Sequence, residues 1–561
     1  MNCSMILLSV FLLTILSDHP VLGCKTKKVT PPPPPRCKHP EQTKLKTSDE
    51  SAVLHCTGFG NRYFNEPKVS DDKAKALLKE GGVIENGTLV IKEELIAPQK
   101  EDVESTECYL VCSNGYIPSP TSTTSCTNGQ WTQDPATMTC EESPCGSPGQ
   151  PNNGHYHCYG NPSICYLTCN PGYSTMSSSP MVTCQEGGTW DQDPLGMECE
   201  EAVALITGGI GKEPGTGPYP ERCHTAEVFS PWDATCSTLL SPLLKIGVHD
   251  HTTHLVNGEI LLCGGSECGR VSEKLFSKTP IYNQTKTHQS CFMMLPNNSW
   301  TFHSEFPDWS WRWNHQGAVQ QNILTIIGGH DAALEPMLEL TKAGWVRGHT
   351  PSLPPTVWPI TILRPCVVVT SPTTFLVTGG SYDMLARNHL SSVLEFNSLT
   401  KEWRALPDMP VGRGDHACAV VQTGHGDALM IAGGRNREEQ KYPLRDAHIF
   451  DFKTKVWMPA GRMKHGRESF EMIVLGKRIF VLGSSSFVEG RYTPEEETIE
   501  EYRIPESKCK HEYLKLCPPG EEGSWVSINR DSLSNSTKIA RRTGHSVVAV
   551  PASRFNCTIG H

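Results

Sequence analysis

The stretch Ala428-Leu-Met-Ile-Ala-Gly433-Gly434 is a short apolar run that ends in two glycines, and it recurs along the chain. The copies start about 50 to 65 residues apart. They lie at 204–209, 260–265, 324–329, 375–380 and 428–434, and a sixth copy at 479–484 ends in Gly-Ser. Such a run is typical of a strand that is buried on both faces. A β repeat of this period predicts a propeller with one blade per copy.

Other residues keep a fixed position relative to the glycine pair. A further strand follows it, such as Ser392–Phe396, and then an outer strand that contains a Trp. The segment Leu406–Pro410 leads from there to a strand that begins with Arg413 and His416. This pattern resembles the kelch repeat, and the resemblance implies six kelch-type blades in an all-β fold. The outer tryptophans are Trp300, Trp345, Trp403, Trp457 and Trp525.

The two ends of the propeller, at residues 200–561, indicate how the ring closes. Residue 203 enters directly on a Gly-Gly strand, so the first blade lacks an innermost strand. The segment Arg542–Val550 reads as an innermost strand with no Gly-Gly strand after it. We therefore expect the C-terminal strand to complete the first blade, which would leave no open sheet edge.

Twelve cysteines from Cys37 to Cys199 form two copies of one spacing. Each copy has Cys-Tyr-Leu-x-Cys, a Gly-Tyr pair, a cysteine, Gly-x-Trp and a last cysteine, at 108–140 and at 165–199. A cysteine repeat with matching Gly and Trp residues indicates a disulfide scaffold, and such scaffolds persist only in oxidising compartments. The sequence therefore predicts a protein that acts outside the cell.

The second copy, residues 145–199, resembles the sushi module, also called the complement control protein module. The resemblance rests on Tyr166, on Gly172-Tyr173 and on Gly188-x-Trp190. Sushi modules serve mostly as rods and protein-binding surfaces, and their first cysteine pairs with the third and the second with the fourth. Carried over, this implies the bridges Cys145–Cys184 and Cys169–Cys199, with Cys158–Cys165 as an added pair.

The first copy, residues 37–140, departs from this pattern by an insertion of roughly fifty residues between Cys56 and Cys108. The resemblance implies the bridges Cys37–Cys126, Cys112–Cys140 and Cys56–Cys108. In the propeller, Cys223–Cys236 and Cys509–Cys517 are close enough in sequence to be bridges. Together with Cys24 the remaining cysteines are odd in number, so one thiol could be free or could join another chain.

The N-terminal residues 1–23 have the pattern of a signal peptide. The apolar run Met5–Leu16 is too short to span a bilayer, and Val21-Leu22-Gly23 supplies small residues for cleavage. Residues 24–36 form a proline-rich linker that contains five consecutive prolines. A bacterial lipoprotein box that ends at Cys24 is the alternative. No later stretch has the ~18 apolar residues of a spanning helix, so a secreted protein without a transmembrane segment is expected.

Charge and composition exclude some partners. The net charge of −10 gives no general attraction to nucleic acid or to anionic lipid. Five sequons are potential glycosylation sites in a secreted chain. They begin at Asn86, Asn283, Asn297, Asn535 and Asn556.

Two motifs in the propeller have both a functional and a structural interpretation. The tripeptide Arg413-Gly414-Asp415 is read by some integrins, but it would have to lie on an exposed loop tip, and the kelch pattern already accounts for Arg413. Metal binding needs three or four converging ligands. Most of the candidate histidines open inner strands, where a structural hydrogen bond is the expected role, so no metal site is predicted. The candidate histidines are His251, His254, His416, His448 and His545.

These observations favour a secreted, non-catalytic binding or adhesion protein that recognises an extracellular protein or carbohydrate through its propeller loops and sushi-like modules. No catalytic motif or cofactor-binding motif is present in the sequence, and no cofactor is expected. The alternative is an enzyme similar to galactose oxidase, in which a propeller of this type holds copper through Tyr and His. No Tyr of the propeller is followed directly by His, so that chemistry has little support.

Overall fold

The computed structural model describes a set of segments that covers most of the second module and most strands of the propeller. The predicted signal peptide and linker, the predicted glycosylation sites Asn86, Asn283 and Asn535, and the predicted bridge Cys509–Cys517 lie outside the described residues. The described residues are 37–38, 53–56, 83–85, 88–90, 104–105, 107–112, 115–119, 123–127, 130–159, 163–211, 221–232, 236, 240, 247–267, 289–307, 312–329, 336–349, 362–381, 389–423, 426–436, 443–483, 485–488, 491–494, 499–503, 523–528 and 542–557.

The first module is a set of short antiparallel strands. Strands β2, β6, β8 and β9 form one sheet, β10 pairs with β7, and β1 pairs with β5. The register of β2 and β6 places Cys56 opposite Cys108. The strands are β1 Cys37–Lys38, β2 Val53–Cys56, β3 Val83–Glu85, β4 Thr88–Val90, β5 Glu104–Ser105, β6 Glu107–Val111, β7 Tyr116–Ser119, β8 Thr123–Thr127, β9 Gln130–Trp131 and β10 Thr139–Glu142.

The second module has a three-stranded sheet, in the order β11-β12-β14, and a small core that contains Tyr156, Leu167, Val182 and three of its cysteines, with Trp190 packed against it. Its strands are β11 Gly154–Tyr159, β12 Ile164–Cys169, β13 Tyr173–Ser174 and β14 Met181–Thr183. The next strand, β15 Glu200–Thr207, starts one residue after the last cysteine of the module and continues into the propeller.

Six blades surround one axis, and each consists of antiparallel strands that run from an inner to an outer position. Blade 1 has the order β43-β15-β17, blade 2 β19-β20-β22-β23, blade 3 β24-β25-β26-β27, blade 4 β28-β29-β30-β31, blade 5 β32-β33-β34-β35, and blade 6 β36-β37-β40-β41. The all-β propeller predicted from the repeat is therefore confirmed.

The strands of the propeller after β15 follow, in chain order. They are β16 Ile210–Gly211, β17 Ala226–Phe229, β18 Val248–His249, β19 Thr252–Val256, β20 Glu259–Cys263, β21 Ser266–Glu267, β22 Ser290–Met294, β23 Trp300–Glu305, β24 Gln316–Gln320, β25 Ile323–Ile327, β26 Met337–Thr341, β27 Gly344–Arg347, β28 Cys366–Ser371, β29 Thr374–Thr378, β30 Val393–Asn397, β31 Glu402–Leu406, β32 Ala417–Thr423, β33 Gly426–Ala432, β34 Asp446–Asp451, β35 Val456–Arg462, β36 Glu471–Leu475, β37 Arg478–Leu482, β38 Ser485–Val488, β39 Arg491–Pro494, β40 Ile499–Arg503, β41 Ser524–Ser527, β42 Arg542–Thr543 and β43 Ser546–Pro551. Short 3-10 turns lie at Pro135–Thr137, Pro194–Gly196, Glu221–His224 and Ala552–Phe555.

The second strand of each blade is the apolar run that precedes the glycine pair, and it is almost completely buried. Its side chains fill apolar layers between neighbouring blades. The outer tryptophans extend this packing, since Trp403 stacks 5.0 Å from Phe396 and Trp457 lies 5.0 Å from Phe450, centroid to centroid. Trp403 also donates from its indole Nε1 to the carbonyl of His349 of the preceding blade, at 2.8 Å. The motif residues therefore hold one blade against the next.

The C-terminal strand β43 supplies the inner strand of blade 1, pairing residues 546–551 with residues 202–207 of β15. A disulfide between Cys236 and Cys557 ties the residues after β43 to the residues after β17. The expectation that Cys223 pairs with Cys236 is therefore wrong, because Cys236 is used for this closure; Cys223 is disulfide-bonded elsewhere. Two ends that are distant in sequence thus meet in one sheet and one bridge.

Other bridges lie in the modules and in the blades. The modules contain Cys112–Cys140, Cys145–Cys184, Cys158–Cys165 and Cys169–Cys199. Within the propeller, Cys263–Cys291 joins two strands of blade 2, and Cys366–Cys418 joins the inner strands of blades 4 and 5. In the described part of the chain, no helix has the length and apolar character that crossing a bilayer requires.

Candidate functional site

The propeller has two distinct faces, and the difference follows from strand direction. On one face a tight turn joins the inner and second strands of a blade, as at 257–258 and 476–477; we call this the hairpin face. On the other face the second strands end in their glycine pairs, and the inner strands begin. The segments that connect the second and third strands also leave from that side, so we call it the loop face.

A closed ring of six residues surrounds the axis at the loop face. Each of them precedes an inner strand by one or two residues, and each has a left-handed backbone, with φ between 51° and 61°. The N–H of each residue donates to the carbonyl of its counterpart in the preceding blade, at 2.7 to 3.2 Å, and the sixth bond returns to the first. The ring residues are Asp250, Asn314, Arg364, Asp415, Ser469 and Gly544.

Asp415 is the centre of a charged cluster in this ring. Both Oδ atoms accept from Nη1 of Arg364, at 2.9 and 3.0 Å, and Oδ1 also accepts from the hydroxyl of Ser469 at 3.0 Å. Arg435 forms an ion pair with Asp415 at 2.7 Å and lies 4.0 Å from Glu468. Burial alone would raise the pKa of Asp415, but the two guanidinium groups lower it to about 2. The carboxylate is therefore ionised at neutral pH.

The neighbouring ring positions add further polar groups. Asp250 is an ion-pair partner of His249, at 3.0 Å; burial opposes the charge of Asp250, but His249 and Arg364 hold the pKa of this carboxyl below its usual value. Nδ2 of Asn314 is buried and has no hydrogen-bond partner among the described residues. Arg364, by contrast, keeps 26% of its side-chain surface exposed. A propeller encloses a central channel, and we call its end at the loop face the mouth. Charged groups of both signs therefore surround the mouth.

Four arginines two residues before the ring positions are completely buried. Each donates from Nη1 to the carbonyl of the first glycine of the pair in its own blade; for Arg413 the acceptor is Gly433 at 2.9 Å. Three of them also pair with a carboxylate, such as Asp446 at 2.7 Å from Arg413. The four are Arg312, Arg413, Arg467 and Arg542.

This burial decides where the Arg413-Gly414-Asp415 tripeptide lies. Arg413 has no exposed surface and Asp415 retains 7%. The tripeptide is therefore part of the blade 5 framework and is not presented on a loop tip. The carboxylate of Asp415 is held by Arg364 of blade 4, by Ser469 of blade 6 and by Arg435 of its own blade.

Two of the candidate histidines that open inner strands, His251 and His416, form hydrogen bonds to threonines. Nε2 of His251 lies 2.8 Å from Thr207 of the preceding blade, and Nε2 of His416 lies 2.8 Å from Thr378. Burial lowers the pKa of His416 and of His545 to about 3, and that of His254 to about 4. His448 lies 3.3 Å from Asp446. No group of three potential metal ligands occurs among the described residues.

One carboxyl group of an inner strand has no hydrogen-bond or ion-pair partner among the described residues. Glu471 stands two residues after the ring residue Ser469, in the inner strand of blade 6, and no other described residue pairs with it. Burial raises its pKa to about 8. It retains part of its surface, and because it lies in an inner strand, this surface faces the central channel that propellers enclose.

The predicted glycosylation sites at Asn297 and Asn556 are both exposed. Asn297 lies in the turn between β22 and β23, and its Oδ1 accepts from Ser299. Asn556 follows the Ala552–Phe555 turn, and Arg554 of that turn donates to the carbonyl of Leu295 at 2.9 Å. The two sequons therefore lie close together, at the rim of blades 1 and 2 on the hairpin face.

The ring itself could not be recognised in the sequence. Asp and Asn are common in left-handed conformations, but Arg364 and Ser469 are not, so the six positions share no residue type. The available signal was the fixed offset from the Arg/His motif, which marks the ring position in blades 1, 3 and 5. The chemistry of the ring depends on contacts between blades, and these appear only when the ring is closed.

Comparison with known proteins supports both halves of the architecture. Residues 145–199 match the model of the Sushi repeat (SCR repeat), and residues 363–410 match that of the Kelch motif. E-selectin of Oryctolagus cuniculus is 34% identical over 98 residues, which are 16% of this chain and 17% of E-selectin. The complement control protein homolog of Saimiriine herpesvirus 2 is 32% identical over 99 residues, 17% of this chain and 27% of the viral protein.

These relatives are matched over only a small share of their length, at 17% and 27%. A solved structure titled "Structure of YjhT" aligns with 58% of this chain and 98% of its own, with a TM-score of 0.40 and 13% identity. The chain thus contains a sushi repeat and a kelch motif.

Proposed function

We propose that this chain is a secreted, non-catalytic binding protein, and that an extracellular protein or glycan docks on the loop face of its propeller. The observation that carries the proposal is the charged mouth around Asp415 and Arg364. Arg364 is partly exposed although it is paired, so it can contact a partner without unfolding its surroundings. Surface loops held by a rigid scaffold are where binding residues concentrate.

Extracellular location is supported by the disulfides in the modules and the blades, since such bridges persist in oxidising compartments. Sushi-like modules before the propeller fit the same setting. The resemblance to E-selectin and to a complement control protein homolog supports a binding role in general terms. The partner itself is defined here only by its chemistry: it must carry charged or polar groups complementary to a mouth with both signs.

The test is capture of partners from extracellular extracts by the purified secreted protein, followed by the same capture with Arg364→Ala. Arg404→Ala is the matched control, because Arg404 lies on the outer strand of the same blade and pairs with Glu395 of the adjacent strand. We expect Arg364→Ala to weaken capture while Arg404→Ala leaves it unchanged. Equal capture by both variants would contradict docking at the mouth.

Metal analysis of the same purified protein addresses the enzymatic alternative. A copper-dependent oxidase would contain copper in a ratio near one per chain and would oxidise a carbohydrate alcohol. We expect neither in the secreted protein. Stoichiometric copper would replace the binding proposal with the oxidase.

A further inference from the structure

The second module lies against the hairpin face of the propeller. Its strand β13 pairs with the start of β15, with Tyr173 opposite Glu201 and Ser174 opposite Glu200. The carbonyl of Gly172 accepts two hydrogen bonds at 3.0 Å, from the N–H of Ala202 in blade 1 and from the N–H of Gly476 in blade 6. The Gly-Tyr pair by which the module resembles its family is therefore the element that attaches it to the propeller.

Contacts with other blades extend this attachment around the ring. The hydroxyl of Ser174 donates to the carbonyl of Ala549 in blade 1, at 3.2 Å. In blade 2, the carbonyl oxygen of Met176 lies so close to Gly258 that a Cβ there would stand 2.4 Å from it. The side chain of Tyr159 lies close enough to Thr373 in blade 4 for the two groups to interact. These contacts are distributed over the hairpin turns.

Blade 5 completes the set, since Asp427 lies near enough to His155 of the module for the two groups to interact electrostatically. The module therefore contacts blades 1, 2 and 6 directly, and its Tyr159 and His155 lie close to blades 4 and 5. Blades 1 and 4 stand on opposite sides of a six-bladed ring, and so do blades 2 and 5. An element that reaches opposite blades has to cross the axis, where it stands over the end of the central channel.

We propose that the second sushi-like module is a fixed cover of the hairpin face, and that it closes the channel there, so that a partner reaches the axis from the loop face. The channel then becomes a blind pocket whose entrance is the ring of six residues. Glu471 lies inside that pocket and is reached only past the ring.

The exposed sequons support the same one-sided arrangement. Asn297 and Asn556 lie at the rim of the hairpin face, beside the area that the module covers. Glycans at these positions would keep a second protein away from what remains of that face. A partner of the second module would have to use its outer side, because Gly172, Tyr173 and Ser174 are occupied by the propeller.

Hydrogen exchange of the intact secreted protein tests the cover without any ligand. The amides of Ala202 and Gly476 donate to Gly172, so we expect them to exchange as slowly as amides of the central strands. The amide of Gly187, in a turn of the module with no protein atom within 4 Å of a Cβ built there, is the fast reference. Exchange of the Gly476 amide at the rate of Gly187 would overturn the proposal.

A pair of glycine variants tests the contact directly. Gly172 and Gly187 both have a positive φ, of 89° and 111°, so an alanine is disfavoured at either position. Only at Gly172 would the added Cβ collide with the propeller, where it would meet the carbonyl oxygen of Gly476. We expect Gly172→Ala to raise the exchange rate at the 476–477 and 257–258 turns at least tenfold and Gly187→Ala to leave both unchanged. Equal rates in the two variants would contradict the cover. If Gly172→Ala is not secreted, the exchange of the native protein decides alone.

Discussion

The two faces of the propeller are held together by different kinds of contact. The hairpin face is bound by backbone groups, through the carbonyl of Gly172 and the strand pair β13–β15. The loop face is held by charged side chains, in which Asp415 binds Arg364 of the preceding blade and Arg435 of its own blade. Backbone contacts suit a permanent attachment, whereas partly exposed charges can be shared with a partner. One face is therefore used for architecture, and the proposed docking of a partner falls on the other.

The two modules share the backbone contact by which the second module is attached to the propeller. In the first module the carbonyl of Gly115 accepts from the N–H of Ser143, as the carbonyl of Gly172 accepts from Ala202 in the second. The registers agree as well, with Tyr116 opposite Glu142. The last strand of the first module ends at Glu142, but the corresponding strand of the second module continues to Thr207 as a blade strand. The same junction is therefore part of a propeller blade in the second module, because its last strand is longer than that of the first module.

The largest effect is expected from removal of residues 541–561, which affects both faces. The deletion removes β43, to which Ser174 of the cover donates, and also Gly544 of the ring. The exposed edge of β15 would be open to aggregation. We expect secretion to fail, measured as protein in the medium, while deletion of 558–561 alone is secreted normally. Normal secretion of a stable monomer without residues 541–561 would show that closure does not depend on β43.

The next effect concerns the disulfide at the start of the shared strand. Cys199 directly precedes β15, so the variant Cys169→Ala/Cys199→Ala should destabilise the module and the propeller together, by about 2–5 kcal/mol. The matched variant Cys112→Ala/Cys140→Ala removes a bridge of similar span from the first module and should leave the unfolding of the propeller unchanged. Denaturant unfolding followed by tryptophan fluorescence distinguishes the two. If the propeller unfolds identically in both variants, the cover is not an integral part of it.

On the loop face, Asp415→Ala should leave two guanidinium groups without their carboxylate. We expect a loss of about 1.5–3 kcal/mol, the range for hydrogen bonds to charged groups. Glu395→Ala, which removes the partner of the exposed Arg404, should cost at most about 1 kcal/mol. Thermal unfolding of both variants provides the comparison. A loss for Asp415→Ala no larger than for Glu395→Ala would mean that the ring cluster does not stabilise the fold.

The smallest expected effect is the pH dependence that Glu471 gives to the free energy of unfolding. The pKa of Glu471 is raised to about 8 in the folded protein from a usual 4.5, so the folded state holds the proton more tightly. Its contribution to stability is fully present below pH 4.5 and is lost as the pH rises through 8. Between pH 6 and 7 we expect a loss of about 1 kcal/mol that Glu471→Gln abolishes. An unchanged slope in the variant would show that the group is solvated.

The sequence predicted much of the fold because its signals are local. Each glycine pair, outer tryptophan and buried strand can be recognised within one blade, and the same holds for Gly172-Tyr173 in the module. What could not be predicted depends on contacts between distant segments. Cys236 pairs with Cys557, 321 residues away, and no spacing rule favours that over a nearer cysteine. The charged cluster around Asp415 could not be predicted for the same reason, since Arg364 and Ser469 belong to other blades.

The measurement that tests the one-sided account most directly is hydrogen exchange of the protein with and without the partner that capture identifies. The account predicts new protection at segments of the loop face, around 364 and 412–416, and none at 172–176 or at the turns 257–258 and 476–477, which are already covered. Protection confined to the second module and the hairpin turns, with the ring unchanged, would contradict it.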